Sequence, residues 1–392
     1  MTGSRHPANA SATAAGPDHP ALLARSRQLI TDLQSETGAY PASPTFSAYA
    51  GYAWLRDGSF TAEAASRWNV TASADRFHDW VARVLTERRE QVTSLVTARR
   101  GGDHPDRQQM LPTRFTLDGR DGSDDWWDYQ TDGYGMWLWA VHAHARRHTL
   151  TLDRWRAGID IAVDYLTAFG TDPCYDWWEE HPDHVHVSTL AANHAGLMAA
   201  ATDPDLTTQR RTAAAATAQR IRSLIAAHGT TPVSRTTDRG PRRLVKWLDG
   251  TDIDASLAAC IVPFGVYSVD DPIAAATIDA ITARLDNDGG VHRYPSDEFF
   301  GGGRWPLLSC LLGWNHAAAG HQEAAWRYLN WAAAQATTDG DLPEQSDGHL
   351  LNPDRRQAWI DRWGPVATPL VWSHAMYLIL AHELGLGGGS QK

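Results

Sequence analysis

Apolar residues recur at three- and four-residue spacing through most of the chain from about residue 20 onward, most clearly over residues 21–33, 77–96, 135–147, 154–169 and 207–227. That spacing places them on one face of a 3.6-residue helix and predicts a mostly helical protein. Strand-like alternation is scarce. Residues 113–117, running into Asp118-Gly119, and residues 242–248, running into Asp249-Gly250, each predict a small hairpin in a loop. Between the helices, clusters of Gly, Asp, Trp and Pro recur at Arg56-Asp57, 125–133, 176–180, 249–254, 293–304 and 342–345. Their separation of roughly 45 to 75 residues corresponds to two helices with their connections. Six clusters therefore mark six helical hairpins, and the simplest closed arrangement is an all-α toroid of inner and outer helices with the clusters gathered at one mouth. No solenoid-type sequence repeat accompanies this periodicity.

One helical domain is expected over residues 21–384. Residues 1–20, rich in Ala, Ser, Pro and His, and residues 385–392, with Gly-Gly-Gly-Ser, are expected to be disordered. Residues 228–243, rich in Thr, Pro, Gly and Arg, read as a long loop over or beside the mouth. The first 20 residues have neither the apolar run of a secretory signal nor the pattern of a transit helix. No stretch approaches the roughly 20 apolar residues that span a bilayer. A cytoplasmic protein is the expectation.

Hydrophobic residues make up 43% and charged residues 21% of the 392, enough apolar material for a large core with no bias toward disorder. The net charge of -11 and the absence of a basic block argue against nucleic acid as a partner. Of the 35 basic residues only Lys246 and Lys392 are lysines. Cys174, Cys260 and Cys310 are too few and too scattered for a disulfide framework, and read as reduced core thiols. His184, His186 and His194 lack a third ligand at metal-site spacing, so no metal and no cofactor is expected. Ser373-His374 lacks the Gly-x-Ser-x-Gly elbow and reads as structural.

The 18 tryptophans exceed what packing requires, and several stand beside acids or arginines: Trp54, Trp126, Trp127, Trp177, Trp178 and Trp305. An indole face there can receive the C–H face of a sugar, although about half of the tryptophans are accounted for as core. In Cys174-Tyr175-Asp176-Trp177-Trp178-Glu179-Glu180, two indoles limit solvent and the adjacent carboxylates repel each other. Both effects keep a carboxyl protonated near neutral pH, as a general acid must be. The competing explanation is a pair of acids in the first turn of a helix. Glu344, in Leu342-Pro343-Glu344-Gln345, stands in a turn beside an amide, which suits a base that holds a water; taken alone it reads better as a surface turn acid. Tyr52-Ala53-Trp54-Leu55-Arg56-Asp57 offers donors and an acceptor for sugar hydroxyls, or an ordinary salt-bridged helix start. Arg293-Tyr294-Pro295, with glycines 301–303 before Arg304-Trp305, is a second arginine-bearing loop. Two separated carboxyls are the equipment for breaking a glycosidic bond.

Taken in order, Trp54-Leu55-Arg56-Asp57, the 175–180 motif, Arg293-Tyr294-Pro295, Leu342-Pro343-Glu344-Gln345 and Pro369-Leu370-Val371-Trp372-Ser373-His374-Ala375 resemble the glucoamylase family, glycoside hydrolase family 15, over about residues 45–380. The resemblance implies an (α/α)6 barrel and release of glucose from a non-reducing end with inversion. By position, Glu179 would be the general acid and Glu344 the general base. Arg56, Asp57 and Arg293 would hold the terminal ring, with Trp178 and Glu180 at the neighbouring subsite and Trp126 or Trp127 as an aromatic wall. Inversion implies carboxyls about 6.5 to 9.5 Å apart, with a water between.

The sequence departs from the family's pattern in three places. The 392 residues have length for neither the β-sandwich domain that many bacterial members carry before the barrel nor the starch-binding module of secreted fungal ones, so neither is expected. Six residues before Arg56, where the family often has tyrosine, stands Ala50, with Tyr49 beside it. Trp177 replaces a common leucine, adding bulk expected near the second subsite. A short α-glucoside is therefore the expected substrate, with the α-1,6 linkage of isomaltose first, α-1,4 maltooligosaccharides second and trehalose a rival. A monomer is favoured. Outside this family, a sugar phosphorylase would need a cationic pocket near the base, and a non-catalytic sugar-binding protein would not need both acids.

Overall fold

In a computed structural model the described residues are 17–124, 126, 129–233 and 240–387. The helices are α1 (His19–Leu33), α2 (Leu55–Arg67), α3 (Thr71–Glu87), α4 (Arg89–Arg100), α5 (Asp132–His148), α6 (Arg156–Phe169), α7 (Val187–Ala201), α8 (Thr208–His228), α9 (Pro272–Leu285), α10 (Pro306–Ala318), α11 (Gln322–Ala333), α12 (Arg356–Trp363) and α13 (Val371–Glu383). Several begin where the local sequence supplies a cap. The side chains of Asp18, Thr207 and Asp271 accept from Ala21 N, Arg210 N and Ile273 N, and Pro272 occupies the first turn of α9. The expected run 77–96 is interrupted at Arg88, between α3 and α4.

Six elements form a closed inner ring in which each touches the next: α2, α5, α7, the 3₁₀ segment Ala255–Cys260, α10 and α13, which returns to α2. Outside them α3 packs on α2, α6 on α5, α8 on α7, α9 on the 3₁₀ segment, α11 on α10 and α1 on α13. This is the (α/α)6 barrel, with one inner member wound as 3₁₀ helix. Burial distinguishes the two rings. Nearly every residue of α2, α10 and α13 is buried, whereas α8 buries only Ala214, Thr217, Ala218, Ile221 and Ile225, one stripe of a helix wetted on its other side. Where α5 crosses α7 the backbones nearly touch. A Cβ on Gly196 would stand 2.4 Å from the carbonyl oxygen of Gly135, and one on Gly135 would stand 2.6 Å from the backbone of Ala192 and Asn193.

Both expected hairpins take different partners. Strand β2 (Arg114–Thr116) pairs antiparallel with β1 (Tyr52–Trp54), far upstream, and the local turn after it is closed between Thr116 and Arg120. Strand β4 (Arg242–Leu244) pairs backward with β3 (Thr230–Pro232), and Leu244 N donates to Thr277 Oγ1 on α9 at 2.9 Å. The barrel also begins earlier than residue 21. His19 opens α1, and its ring bonds Tyr377 Oη at 2.7 Å and Asn330 Oδ1 at 2.8 Å, tying the first helix to α13 and α11. Cys174, Cys260 and Cys310 are buried free thiols. Among the described residues no helix is long and apolar enough to cross a membrane.

Candidate active site

Three of the inner elements, α2, α10 and α13, begin beside one cavity of about 220 Å³. Strand β1 delivers Trp54 and leads directly into α2, so Arg56 and Asp57 fall in that helix's first turn. Trp305 precedes α10, and Trp372 lies in the first turn of α13. Of the residues singled out in the sequence, Arg56, Asp57, Glu179, Glu180, Arg293 and Glu344 line the cavity, together with the indoles of Trp54, Trp126, Trp177, Trp178 and Trp305. Tyr52 does not line it. Its ring lies 3.9 Å from the Arg114 guanidinium, which also rests on Trp54 and Trp126, so Tyr52 supports the indole wall from behind. Trp127 lies outside the described residues. Trp177 is 1% exposed and packs against Phe60, Phe264 and Trp372, so most of its bulk fills the core rather than a second subsite. No described residue of the 228–243 segment borders the cavity.

Glu179 sits in a tight turn with φ of 63°, a left-handed conformation rare outside glycine. Asp176 Oδ1 holds that turn by accepting from Trp178 N and Glu180 N, both at 2.9 Å. The Glu179 carboxyl is addressed from two sides. Trp54 Nε1 donates to Oε1 at 2.5 Å, with Arg56 Nη2 at 3.3 Å, and Trp126 Nε1 donates to Oε2 at 3.0 Å. Glu180 turns instead to the Arg293 loop, accepting from Tyr294 Oη at 2.5 Å and Arg293 Nη2 at 3.5 Å.

Glu344 is 2% exposed. Its Oε1 accepts from Tyr49 Oη at 2.8 Å, and its Oε2 has no hydrogen-bond partner among the described residues. Burial pushes this carboxyl up to about 8, against the Tyr49 hydrogen bond and the Arg293 charge, which favour the ionised form. Burial likewise raises Tyr49 well above the ordinary phenol value, which keeps it a neutral donor. The tyrosine sought six residues before Arg56 is thus supplied from the adjacent position. Tyr49 also meets Trp54 edge-on at 5.4 Å, so one aromatic pair runs from Glu344 to Glu179. The loop carrying Glu344 is held from α13: His374 Nε2 accepts from Leu342 N at 2.9 Å, and Ser373 Oγ donates to Pro343 O at 2.8 Å.

Arg56 joins the polar groups of the opposite wall. Its Nη1 donates to Gln130 Oε1 at 2.7 Å and stands 3.4 Å from Asp132 Oδ2, and its Nε is 3.5 Å from Asp57 Oδ2. Burial works against this cation, but Asp132, Asp57 and Glu179 outweigh it and hold the guanidinium proton above its ordinary value. Burial pushes Asp57 up to about 7, opposed by Arg56. Arg293 is clamped by Asp297, at 2.8 Å and 2.5 Å, and flanked by Trp178, Phe299 and Trp305. Sequence reasoning missed Gln130 and Asp132, which hold Arg56 from behind, and Phe299 with the α12 residues Trp359, Arg362 and Trp363, which border the cavity. Asp132 had a local signal, the acid two residues after Gln130 at a helix start. The α12 residues were not singled out by any motif or spacing.

Comparison with known proteins places the chain in a family. The family description "Glycosyl hydrolases family 15" matches residues 16–351. The chain is 59% identical over 366 residues, 93% of each chain, to the isomaltose glucohydrolase of Kribbella flavida. A wild-type glycosidase of known structure is 58% identical with a TM-score of 0.89, covering 94% of this chain and 99% of that one. A bacterial glucoamylase complexed with acarbose shares the fold at 21% identity and a TM-score of 0.71, over 93% of this chain and 55% of that one. The chain belongs to glycosyl hydrolases family 15 and is a glycoside hydrolase.

Proposed function

We propose that the protein is an exo-acting, inverting glucohydrolase that releases β-glucose from the non-reducing end of short α-glucosides, with the α-1,6 linkage of isomaltose first. The observation that carries this reading is the pair Glu179 and Glu344, set in one cavity at the two ends of the Tyr49–Trp54 aromatic contact. In the proposed reaction Glu179 gives its proton to the glycosidic oxygen as the C1–O bond breaks. Glu344 takes a proton from a water whose oxygen bonds to C1 from the other face, and its unpartnered Oε2 is the acceptor for that proton. Arg56 and Asp57 hold hydroxyls of the terminal ring, Arg293 helps hold it, and Trp178 and Glu180 shape the place of the leaving sugar. The likeness to the Kribbella flavida enzyme supports isomaltose. The size of the cavity suits the end of a short chain.

Proton NMR of the first product formed from isomaltose tests the reading, with maltose and trehalose in parallel. β-Glucose appearing before mutarotation, fastest from isomaltose, is the expected result. α-Glucose as the first product would overturn inversion, and glucose 1-phosphate formed only in the presence of phosphate would make the protein a phosphorylase.

A further inference from the structure

Lys246 is the only lysine within the described residues and is 5% exposed, yet it does not border the cavity. Its Nζ stands 3.1 Å from Asp176 Oδ2, 3.2 Å from Asp254 Oδ2 and 3.8 Å from the centre of the Tyr294 ring. Each of these three groups holds a different part of the turn that bears Glu179. Asp176 accepts the N–H groups of Trp178 and Glu180. Asp254 accepts the Trp178 indole N–H, at 2.9 Å and 3.2 Å to its two oxygens. Tyr294 donates to Glu180. The ammonium is itself fixed through the backbone, since Lys246 N bonds Asp252 O and Lys246 O receives Val187 N at the start of α7, each at 3.0 Å.

A buried ion pair is weak support for stability, because apolar residues of similar volume often serve as well or better. Stability therefore gives no reason for a lysine here. The turn does need external support. It carries a non-glycine residue at positive φ, a conformation that persists only where the surroundings over-determine it.

We infer that Lys246 is a positioning residue, which sets the direction of the Glu179 carboxyl by drawing Asp176, Asp254 and Tyr294 together behind the turn. The inference rests on the proposed role of Glu179 as proton donor. Its signature is a defect confined to substrates whose leaving group needs that proton. Lys246→Met keeps the length of the side chain and removes the charge. Since a misplacement of about 1 Å costs on the order of 10²-fold, kcat on isomaltose is expected to fall about 10²-fold with KM changed by less than about threefold. On α-glucosyl fluoride, whose fluoride departs without a proton from the enzyme, the fall is expected to stay within about threefold. If the single variant does not fold, Lys246→Met with Asp254→Asn restores the net charge of the cluster without the tether and is read the same way.

A loss shared equally by both substrates, or unchanged isomaltose turnover, would overturn the role of Lys246. A wild-type protein that turns over neither substrate would instead sink the glucohydrolase reading, and this inference with it.

Discussion

At the scale of single residues, Glu344 carries the clearest consequence. The proposed base must be ionised to act, and this carboxyl is raised to about 8, so kcat/KM is expected to fall as the pH drops through that region. Tyr49 donates to the carboxylate and so favours its ionised form. Tyr49→Phe removes that bond and moves the acid limb to higher pH. A hydrogen bond to a charged group is worth about 1.5–3 kcal/mol, and one pH unit corresponds to about 1.4 kcal/mol, so the displacement is about one to two units. A pH profile of kcat/KM for the two proteins measures it, and an acid limb that stays in place would contradict the account.

That Glu179 and Glu344 share one cavity was legible in the sequence only from the two sites taken together with the ordered motifs, since each alone has an ordinary explanation. Tyr49 was legible only as a departure from a spacing. Asp132 left only the weak signal of an acid at a helix start and Lys246 left none, since both have ordinary explanations until burial and partners are known. Tyr52 was misread because it shares a motif with Trp54 while its ring serves Arg114.

At the scale of elements, periodicity showed most clearly in the outer helices α1, α3, α6 and α8 and in one inner helix, α5, and concealed the other inner ones. Helices α6 and α8 keep a wet face, so their apolar stripes show. Helix α13 is buried over almost its whole length, and a helix without a polar side leaves no 3.6-residue signal. The strand at 114–116 was visible as a strand, but its partner was not, because residues 52–54 are too few to alternate.

The α5–α7 crossing offers a test of the inner ring. Gly196→Ala puts a methyl group 2.4 Å from a carbonyl oxygen that belongs to a buried helix and cannot move aside. Overpacking of this kind costs about 1–3 kcal/mol. A thermal melt should show Tm lowered by several degrees, with hydrolysis by the folded protein retained. An unchanged Tm would mean that the crossing can open without cost.

At the scale of the whole molecule, the (α/α)6 ring supplies a separate loop above each inner element, and the two acids come from well-separated loops, 176–180 and 342–345. The ring closes through the contact of α13 with α2. Removing residues 365–387 strips α1, α2 and α10 of their apolar partner, and at about 25 cal/mol per Å² of apolar surface the exposed faces far exceed the margin of a stable domain. Such a shortened protein is expected to give no cooperative unfolding transition by calorimetry. A sharp transition would show that the remaining ring is self-sufficient.

Helix α13 is also the place from which Ser373 and His374 hold the Glu344 loop. During synthesis it is the last inner helix to leave the ribosome. A nascent chain that has already emerged past residue 344 therefore owns both carboxyls but lacks the two bonds by which α13 holds the loop of the second, and the proposed pair is complete only once the closing helix docks.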